Sequence, residues 1–395
     1  MREIMLIMIL LNLIVWIYLL LFRGQFWQTN QRLLPISEIE TENIKDWPSI
    51  YIIIPARNEA DLLPVTLKSL LTQDYPGNWK IILVDDQSTD NTPNIAKRIA
   101  LQTNNLAKLE VISAPDLPRG WTGKLWAIST GINYAKQQTP PPDYFLLTDA
   151  DIEHSSTNIR QLVVKAERKN LALVSLMVKL HCQSLPEKLM IPAFVFFFQK
   201  LYPFKWVNNP QKNTAAAAGG CILIRQQALD EIGGLEIIKN ALIDDCTLAK
   251  AVKQNATNKK IWLGLTSDTK SRRTYEDLAS IWQMVARTAF TQLNYSPLLL
   301  IVTIVGMILV YLLPPLAIIL GVILGYWKIV LIALLARLLM YLAYLPMIKF
   351  YQCSPIYALS LPTVAFLYTL MTIDSAWRYW QGRGGNWKGR IYHKG

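Results

Sequence analysis

The tripeptide Asp149-Ala150-Asp151 follows the apolar run YFLLT and sets two carboxylates two residues apart. On an extended backbone, residues i and i+2 project to the same side, so the pair would converge on one ligand. Paired hard oxygens suit Mg²⁺ or Mn²⁺, an ion that leaves part of its shell for water and substrate phosphates. A diphosphate is the natural third party, and the ion would neutralise the charge it carries on departure. Alone, an Asp-x-Asp is common and usually solvated; its place after an expected strand gives it meaning.

A second acidic group, ILVDDQSTDNT, gathers Asp85, Asp86 and Asp90 at the end of another apolar run, and the run before it closes with Pro55, Arg57, Asn58 and Glu59. A carboxylate at such a corner can accept a base N–H or ribose hydroxyls, which makes Pro55, Arg57, Glu59, Asp85 and Asp86 donor-binding candidates. The same Asp, Ser and Thr residues would also serve as turn formers and helix caps. In LIDDCTLAK, Asp244 and Asp245 open a helical pattern. A carboxylate there can act as general base toward an acceptor hydroxyl, or simply stabilise the helix dipole. Lys124, in the turn RGWTGKLWA, can hold a phosphate as a point charge, and Gly220, after Gly219, allows close backbone approach. Either stretch would serve equally as an ordinary loop. Gln283 and Arg287 fall one turn apart on a helix, where Arg287 can meet the same diphosphate.

The elements that must position these residues read as α/β. Ile50 to Pro55, Lys80 to Val84, Leu109 to Ile112, Tyr144 to Thr148 and Leu171 to Leu176 are apolar runs of strand length, and Ala60 to Thr72 and Thr92 to Leu101 carry helical spacing. Alternation of this kind predicts a doubly wound, mostly parallel, Rossmann-like sheet whose ligands gather at the strands' carboxyl ends.

The rest of the chain is of another character. Of 395 residues, 52% are hydrophobic and only 17% charged, which points to a lipid-facing portion. Ile4 to Phe22 is broken only by Asn12 and lacks a cleavage site after it, so residues 1–24 read as an uncleaved transmembrane anchor. Residues 48–295 form the expected catalytic domain, 297–375 a C-terminal transmembrane region of two or three helices, and 376–395 a basic tail. Pro314-Pro315 and Arg337 interrupt the C-terminal blocks, which allows a kinked or re-entrant segment. Phe194 to Val207 reads as an interfacial segment of the α/β domain.

The net charge of +12 suits an anionic bilayer surface and a phosphate-bearing substrate, since the basic residues flank apolar spans and no nucleic-acid motif is present. Four single cysteines and three histidines argue against zinc or a disulfide framework and for a reducing, cytosolic face. The expected location is the inner (plasma) membrane, multi-pass, with the catalytic domain cytosolic. Three further crossings would put the basic tail outside, against the positive-inside rule.

Together, IPARNEADLLPVTLKSLLTQDYP, ILVDDQSTDNT, GKLWA, LTDADIEH, AGGCILI and IDDCTLA resemble the family 2 inverting glycosyltransferases of GT-A fold, over about residues 48 to 295. Within that family LPRGWTGKLWA, IPAFVFFFQKLYPFKWVNNP, AAAAGGC, LIDDCTLA and MVARTAFTQLNYSP look most like bacterial hopanoid-associated glycosyltransferases. The resemblance implies that Asp86 with Asp85 binds uracil or another base, that Asp149 and Asp151 hold the metal and donor diphosphate, and that Asp245 is the base. The family's processive members carry QxxRW near the membrane; here no tryptophan follows Arg287, and processivity is not implied.

The expected activity is transfer of a sugar from a nucleotide-sugar, a UDP-sugar above all, to a lipid acceptor at the cytosolic membrane face, with a hopanoid as one candidate acceptor. Two other readings stay open: a metal-independent glycoside hydrolase using paired carboxylates, which would survive EDTA, and a non-catalytic membrane scaffold, which would bind donor without turnover.

Overall fold

The computed structural model describes residues 2–34 and 44–383, with the backbone of 386–387 and 390–391. The remainder of the expected basic tail, Lys394 included, lies outside the described residues. The chain divides into two compact units: Gln31–His181, Trp206–Arg273 and Asn386–Gly395 in one; Met1–Asn30, Cys182–Lys205 and Thr274–Gly385 in the other.

The first unit is built on an eight-stranded sheet in the order β3-β2-β1-β4-β7-β6-β8-β5. Its strands are β1 (Ile50–Ala56), β2 (Trp79–Asp85), β3 (Leu109–Ser113), β4 (Tyr144–Thr148), β5 (Ile152–Glu153), β6 (Leu173–Lys179), β7 (Cys221–Arg225) and β8 (Ile261–Ser271). β1 pairs in parallel with β2 and β4, β2 with β3, and β6 with β8. β7 runs antiparallel between β4 and β6, and β5 pairs antiparallel with β8. The expected α/β, mostly parallel sheet is therefore present, with a mixed half beyond β4.

Every residue of β1 and β4 is buried, as apolar runs covered by helices on both faces must be. From β1 the chain winds outward through β2 to β3 and returns to β4 on the other side of β1. That reversal opens a crevice at the carboxyl ends of β1 and β4, where open α/β sheets bind ligands.

The helix Gly123–Lys136 begins beside this crevice, capped by Thr122, whose hydroxyl accepts from Leu125 N. A Cβ at its Gly131 would stand 2.7 Å from Ile53 and 2.9 Å from Val84, so only glycine lets the helix seat on β1 and β2. The helix Asp244–Asn255 carries both acids of LIDDCTLAK in its first turn, where the dipole favours negative charge.

Among the described residues, the second unit holds four helices long and apolar enough to cross a membrane: Arg2–Phe22, Pro297–Ile323, Trp327–Phe350 and Pro355–Trp380. The block containing Pro314-Pro315 does not break. It continues through one π-helical turn, Ile308–Leu312. A proline at position 314 has no N–H for the carbonyl four residues back, and in lipid an orphan carbonyl costs several kcal/mol. Asn12 Nδ2 at 3.1 Å and Trp16 Nε1 at 2.9 Å donate to that Val310 oxygen, which explains the one polar residue in the anchor's apolar run. Arg337 donates to Leu359 O at 3.0 Å.

The interfacial segment expected within the α/β domain at Phe194 to Val207 instead belongs in large part to the helical unit. It lies mostly on the helix Leu185–Leu201, where Phe196 packs against Phe26 and Tyr344 at 5.3 and 5.1 Å. A Ser184–Glu187 capping box starts this helix.

Candidate functional site

Four charged side chains meet at the crevice. The Lys124 ammonium, in the first turn of its helix, lies 2.8 Å from Asp149 Oδ1 and 3.5 Å from Asp244 Oδ2. Asp245 turns the other way: its Oδ2 accepts the Gly219 N–H at 2.8 Å and its Oδ1 accepts its neighbour Cys246 N–H at 2.7 Å. Leu125, Ile128, Leu147, Ile222, Leu235, Ile238 and Leu248 line the same pocket, so the charges sit in apolar surroundings.

Low polarity shifts these groups. Burial alone would push the Lys124 ammonium down, but Asp149, Asp244 and Asp245 outweigh it and hold Lys124 above its ordinary range. Burial lifts Asp149, Lys124 opposes, and Asp151 and Asp244 add to the lift. Asp245 is pushed up to about 6, first by burial and then by Asp244, against the pull of Lys124 and of the two N–H donors. A carboxylate poised near neutrality suits proton abstraction.

The Asp-x-Asp turns out not to be extended. β4 ends at Thr148, and Asp149 to Asp151 form a turn in which Ile152 N donates to Asp149 O at 3.3 Å. The two carboxylates consequently face different cations. Asp151 Oδ2 accepts from Arg273 Nε at 2.9 Å and Ser271 Oγ at 3.3 Å, while Arg273 Nη2 reaches Glu59 Oε1 at 3.1 Å. Arg273 was not singled out by the sequence: it lies just past β8, and only the pairing of β8 with β5 brings it to Asp151.

Among the described residues no group of three His, Cys, Asp or Glu side chains forms a closed metal cage. The donor set nevertheless fits an open ion. Three carboxylates against one ammonium carry a net charge of −2 when ionised, and Mg²⁺ or Mn²⁺ needs only one or two carboxylates when phosphates complete its shell.

The corner beside the cluster is stitched across two strand ends. Asp86 N donates to Ala56 O at 2.8 Å, Asn58 N to Ser88 Oγ at 3.0 Å, and Thr89 N to Asn58 Oδ1 at 2.8 Å. Arg57 Nη1 approaches Asp86 Oδ2 at 3.6 Å, and Asp86 is wholly buried. Asp85 Oδ2 accepts Ser88 N at 3.4 Å, and its Oδ1 is buried with no hydrogen-bond partner. Asp90 ties this loop to the next helix through Ala60 N and Thr92 N.

Of the expected donor and catalytic residues, Lys124, Asp149, Asp244 and Asp245 come together, Asp85, Asp86 and Arg57 form the neighbouring corner, and Glu59 joins Asp151 through Arg273. Pro55 is buried within β1, in register with Val84. The two glycines divide their work. A Cβ on Gly219 would lie 3.3 Å from Lys124 Nζ and 3.5 Å from Asp245 Oδ2, whereas one on Gly220 would meet Val178 at 3.0 Å and Ile152 at 3.3 Å. Gly219 is thus the glycine at the charge cluster, and Gly220 packs on the core. Arg287 lies in the helical unit, at the end of the helix Leu278–Ala286.

A 4,4'-diaponeurosporenoate glycosyltransferase of Staphylococcus haemolyticus is 31% identical over 118 residues, 30% of this chain and 28% of that one. A beta-monoglucosyldiacylglycerol synthase of Nostoc sp. is 23% identical over 202 residues, 51% of this chain and 40% of that one. The chain thus spans well under half the length of these curated relatives. A mannosyltransferase from Pyrobaculum calidifontis, solved in complex with GDP-Man and Mn²⁺, shares the fold with a TM-score of 0.56 at 18% identity, over 96% of this chain and 99% of that one. The Glycosyl transferase family 2 model matches residues 51–233, which take in β1 to β7, the Asp85–Asp86 corner, Lys124 and the Asp-x-Asp turn. Over those residues, a little under half of the chain, it is similar to glycosyl transferase family 2.

Proposed function

We propose that the protein is a membrane-bound inverting glycosyltransferase that moves a sugar from a nucleoside diphosphate donor, a UDP-sugar in the first instance, to a lipid hydroxyl, a hopanoid being the first acceptor to test. The observation that carries this reading is the convergence of Lys124, Asp149, Asp244 and Asp245 at the switch point of the sheet, with Asp245 raised to about 6.

In this reading the Asp85 and Asp86 corner receives the base. Asp245 takes the proton from the acceptor hydroxyl, whose oxygen attacks the anomeric carbon from the face opposite the diphosphate. The bond from that carbon to the diphosphate oxygen breaks, its electron pair stays on the diphosphate, and the configuration inverts. Lys124 presents a fixed positive charge beside Asp149, where the leaving group would lie. Mg²⁺ or Mn²⁺ on Asp149, with Asp151 beside it, would supply the further positive charge that the departing diphosphate needs.

A lipid acceptor is supported by the four long apolar helices and by the names of two relatives, which contain a diaponeurosporenoate and a monoglucosyldiacylglycerol. The hopanoid rests on the resemblance of LPRGWTGKLWA and LIDDCTLA. We place the protein in the inner membrane with its α/β unit on the cytosolic side, in keeping with four cysteines scattered singly along the chain and the net charge of +12.

The test is purified protein in detergent, incubated with UDP-sugars, Mn²⁺ and a bacterial lipid extract. Sugar should pass to lipid, the transfer should stop with EDTA, and Asp151→Asn should weaken it. Absence of donor binding and hydrolysis with every nucleotide sugar would sink the reading, and sugar release unaffected by EDTA would favour a hydrolase. Mass spectrometry of lipids from cells with and without the gene would identify the glycolipid.

A further inference from the structure

Below the charge cluster runs a buried line of neutral hydrogen bonds that the proposed chemistry does not use. It joins Thr269 on β8, Asn158 at the start of the helix Asn158–Lys169, His154 just after β5, Thr148 at the end of β4, and Gly220 just before β7. Thr148, His154, Asn158 and Thr269 are 2%, 3%, 1% and 0% exposed.

The partners leave one direction for the protons. Thr148 has one hydroxyl hydrogen and gives it to Gly220 O at 2.8 Å, so toward His154 Nε2, 2.9 Å away, it can only accept. Nε2 therefore carries the ring hydrogen and Nδ1 is bare, accepting from Asn158 Nδ2 at 2.9 Å. Asn158 Oδ1 in turn accepts the Thr269 hydroxyl at 3.0 Å. The backbone of His154 is pinned separately, its N–H donating to Ser69 Oγ at 3.0 Å. Burial pushes the imidazole down to about 3, in agreement with a ring that stays neutral.

Two adjacent members of this line, Thr148 and Gly220, each touch the cluster through one peptide unit. Thr148 immediately precedes Asp149, which bonds Lys124; Gly220 immediately follows Gly219, whose N–H holds Asp245. We infer that His154 is a positioning residue: the Nε2–H···Thr148···Gly220 link fixes the separation between the Asp149 turn and the Asp245 carboxylate. Asp-x-Asp turn and base sit on different strands, and this link, side by side with the β4 and β7 ladder, sets their spacing. The inference rests on the proposed function for its catalytic meaning, and on the hydrogen-bond pattern alone for its geometry.

Three variants and one spectrum test it. His154→Phe keeps ring volume and removes both bonds; Thr148→Val removes the relay hydroxyl; His154→Gln restores one donor and one acceptor. His154→Phe and Thr148→Val should lower kcat on the order of 10- to 100-fold, the range that small misplacements of reacting groups produce, while donor KM stays within about twofold. His154→Gln should recover most of the loss. In the wild-type protein the ring-nitrogen spectrum of His154 should show a protonated Nε2 and a bare Nδ1, unchanged from about pH 5 to about pH 8. Retention of kcat within about twofold in His154→Phe, or an Nδ1–H tautomer, would overturn the inference. If the wild type transfers no sugar from any donor the proposed function falls instead, and the ring spectrum still decides whether the link exists.

Discussion

Replacing Asp245 by Asn separates chemistry from folding in a way that only a base in this setting would show. In the folded state Asp245 is raised from its ordinary 3.8 to about 6, so carrying its charge at neutral pH costs roughly 2 to 3 kcal/mol. The amide removes that cost. It also places an NH₂ group against one of the two N–H donors, at Gly219 or Cys246, and loses a charge-assisted hydrogen bond of about 1.5 to 3 kcal/mol. The two effects oppose each other at similar size, so Asp245→Asn should melt within a few degrees of wild type above about pH 6. Because the folded carboxyl is raised, its destabilising charge appears as pH rises from 3.8 toward 6, and any gain from the amide should fade toward pH 4. Loss of a general base should cost kcat about 10²- to 10⁴-fold, or about 2.7 to 5.5 kcal/mol of barrier. The assay is sugar transfer in detergent over a pH series, beside a thermal melt and donor binding. Wild-type kcat/KM should fall tenfold per pH unit below about 6, as the base becomes protonated, and the variant should lack that limb. A variant with more than a tenth of wild-type kcat, paired with an inactive Asp244→Asn, would refute the assignment and move the base to Asp244.

Lys124→Met removes the positive charge that pulls Asp245 down, so the acid limb of the pH profile should move above about 6 while kcat falls. Gly219→Ala puts a methyl 3.3 Å from Lys124 Nζ and should lower kcat about tenfold with little change in melting, whereas Gly220→Ala, 3.0 Å from Val178, should destabilise by about 1 to 3 kcal/mol; a kinetic and a calorimetric comparison of the pair checks both. Arg273→Ala frees Asp151 from its nearest cation and orienting partner, and the Mn²⁺ concentration for half-maximal rate should rise about 10- to 100-fold.

How far the fold could be read from the chain depended on whether a residue's neighbours in sequence were also its neighbours in the sheet. β1 to β4 were legible because a strand buried on both faces must be an unbroken apolar run, and Tyr144 to Thr148 was placed to the residue. β7 was missed because CILIR is a short run behind two glycines, and only its antiparallel pairing with β4 and β6 makes it a strand. β8 was missed because its second half, TSDTKS, has the composition of a loop and owes its conformation to β5 and β6. The helix at Lys124 was read as a turn, since Gly123 and Gly131 lower its propensity, yet Gly131 is the contact that seats it on the sheet.

The site was legible as a set of residue types and illegible as a set of partners. That Asp149, Asp244, Asp245 and Lys124 were candidates for chemistry followed from their positions at element ends. That Lys124 bridges Asp149 and Asp244 did not, since the three come from the turn after β4 and two helices more than 90 residues apart in sequence. The spacing rule for Asp149 and Asp151 assumed an extended backbone, and the strand stops one residue too early for it. The consequence is chemical. Each acid of the tripeptide already faces its own protein cation, Lys124 or Arg273, so the pair is no ready-made cage. A divalent ion there would take its remaining oxygens from a diphosphate, which would tie metal affinity to the presence of the nucleotide.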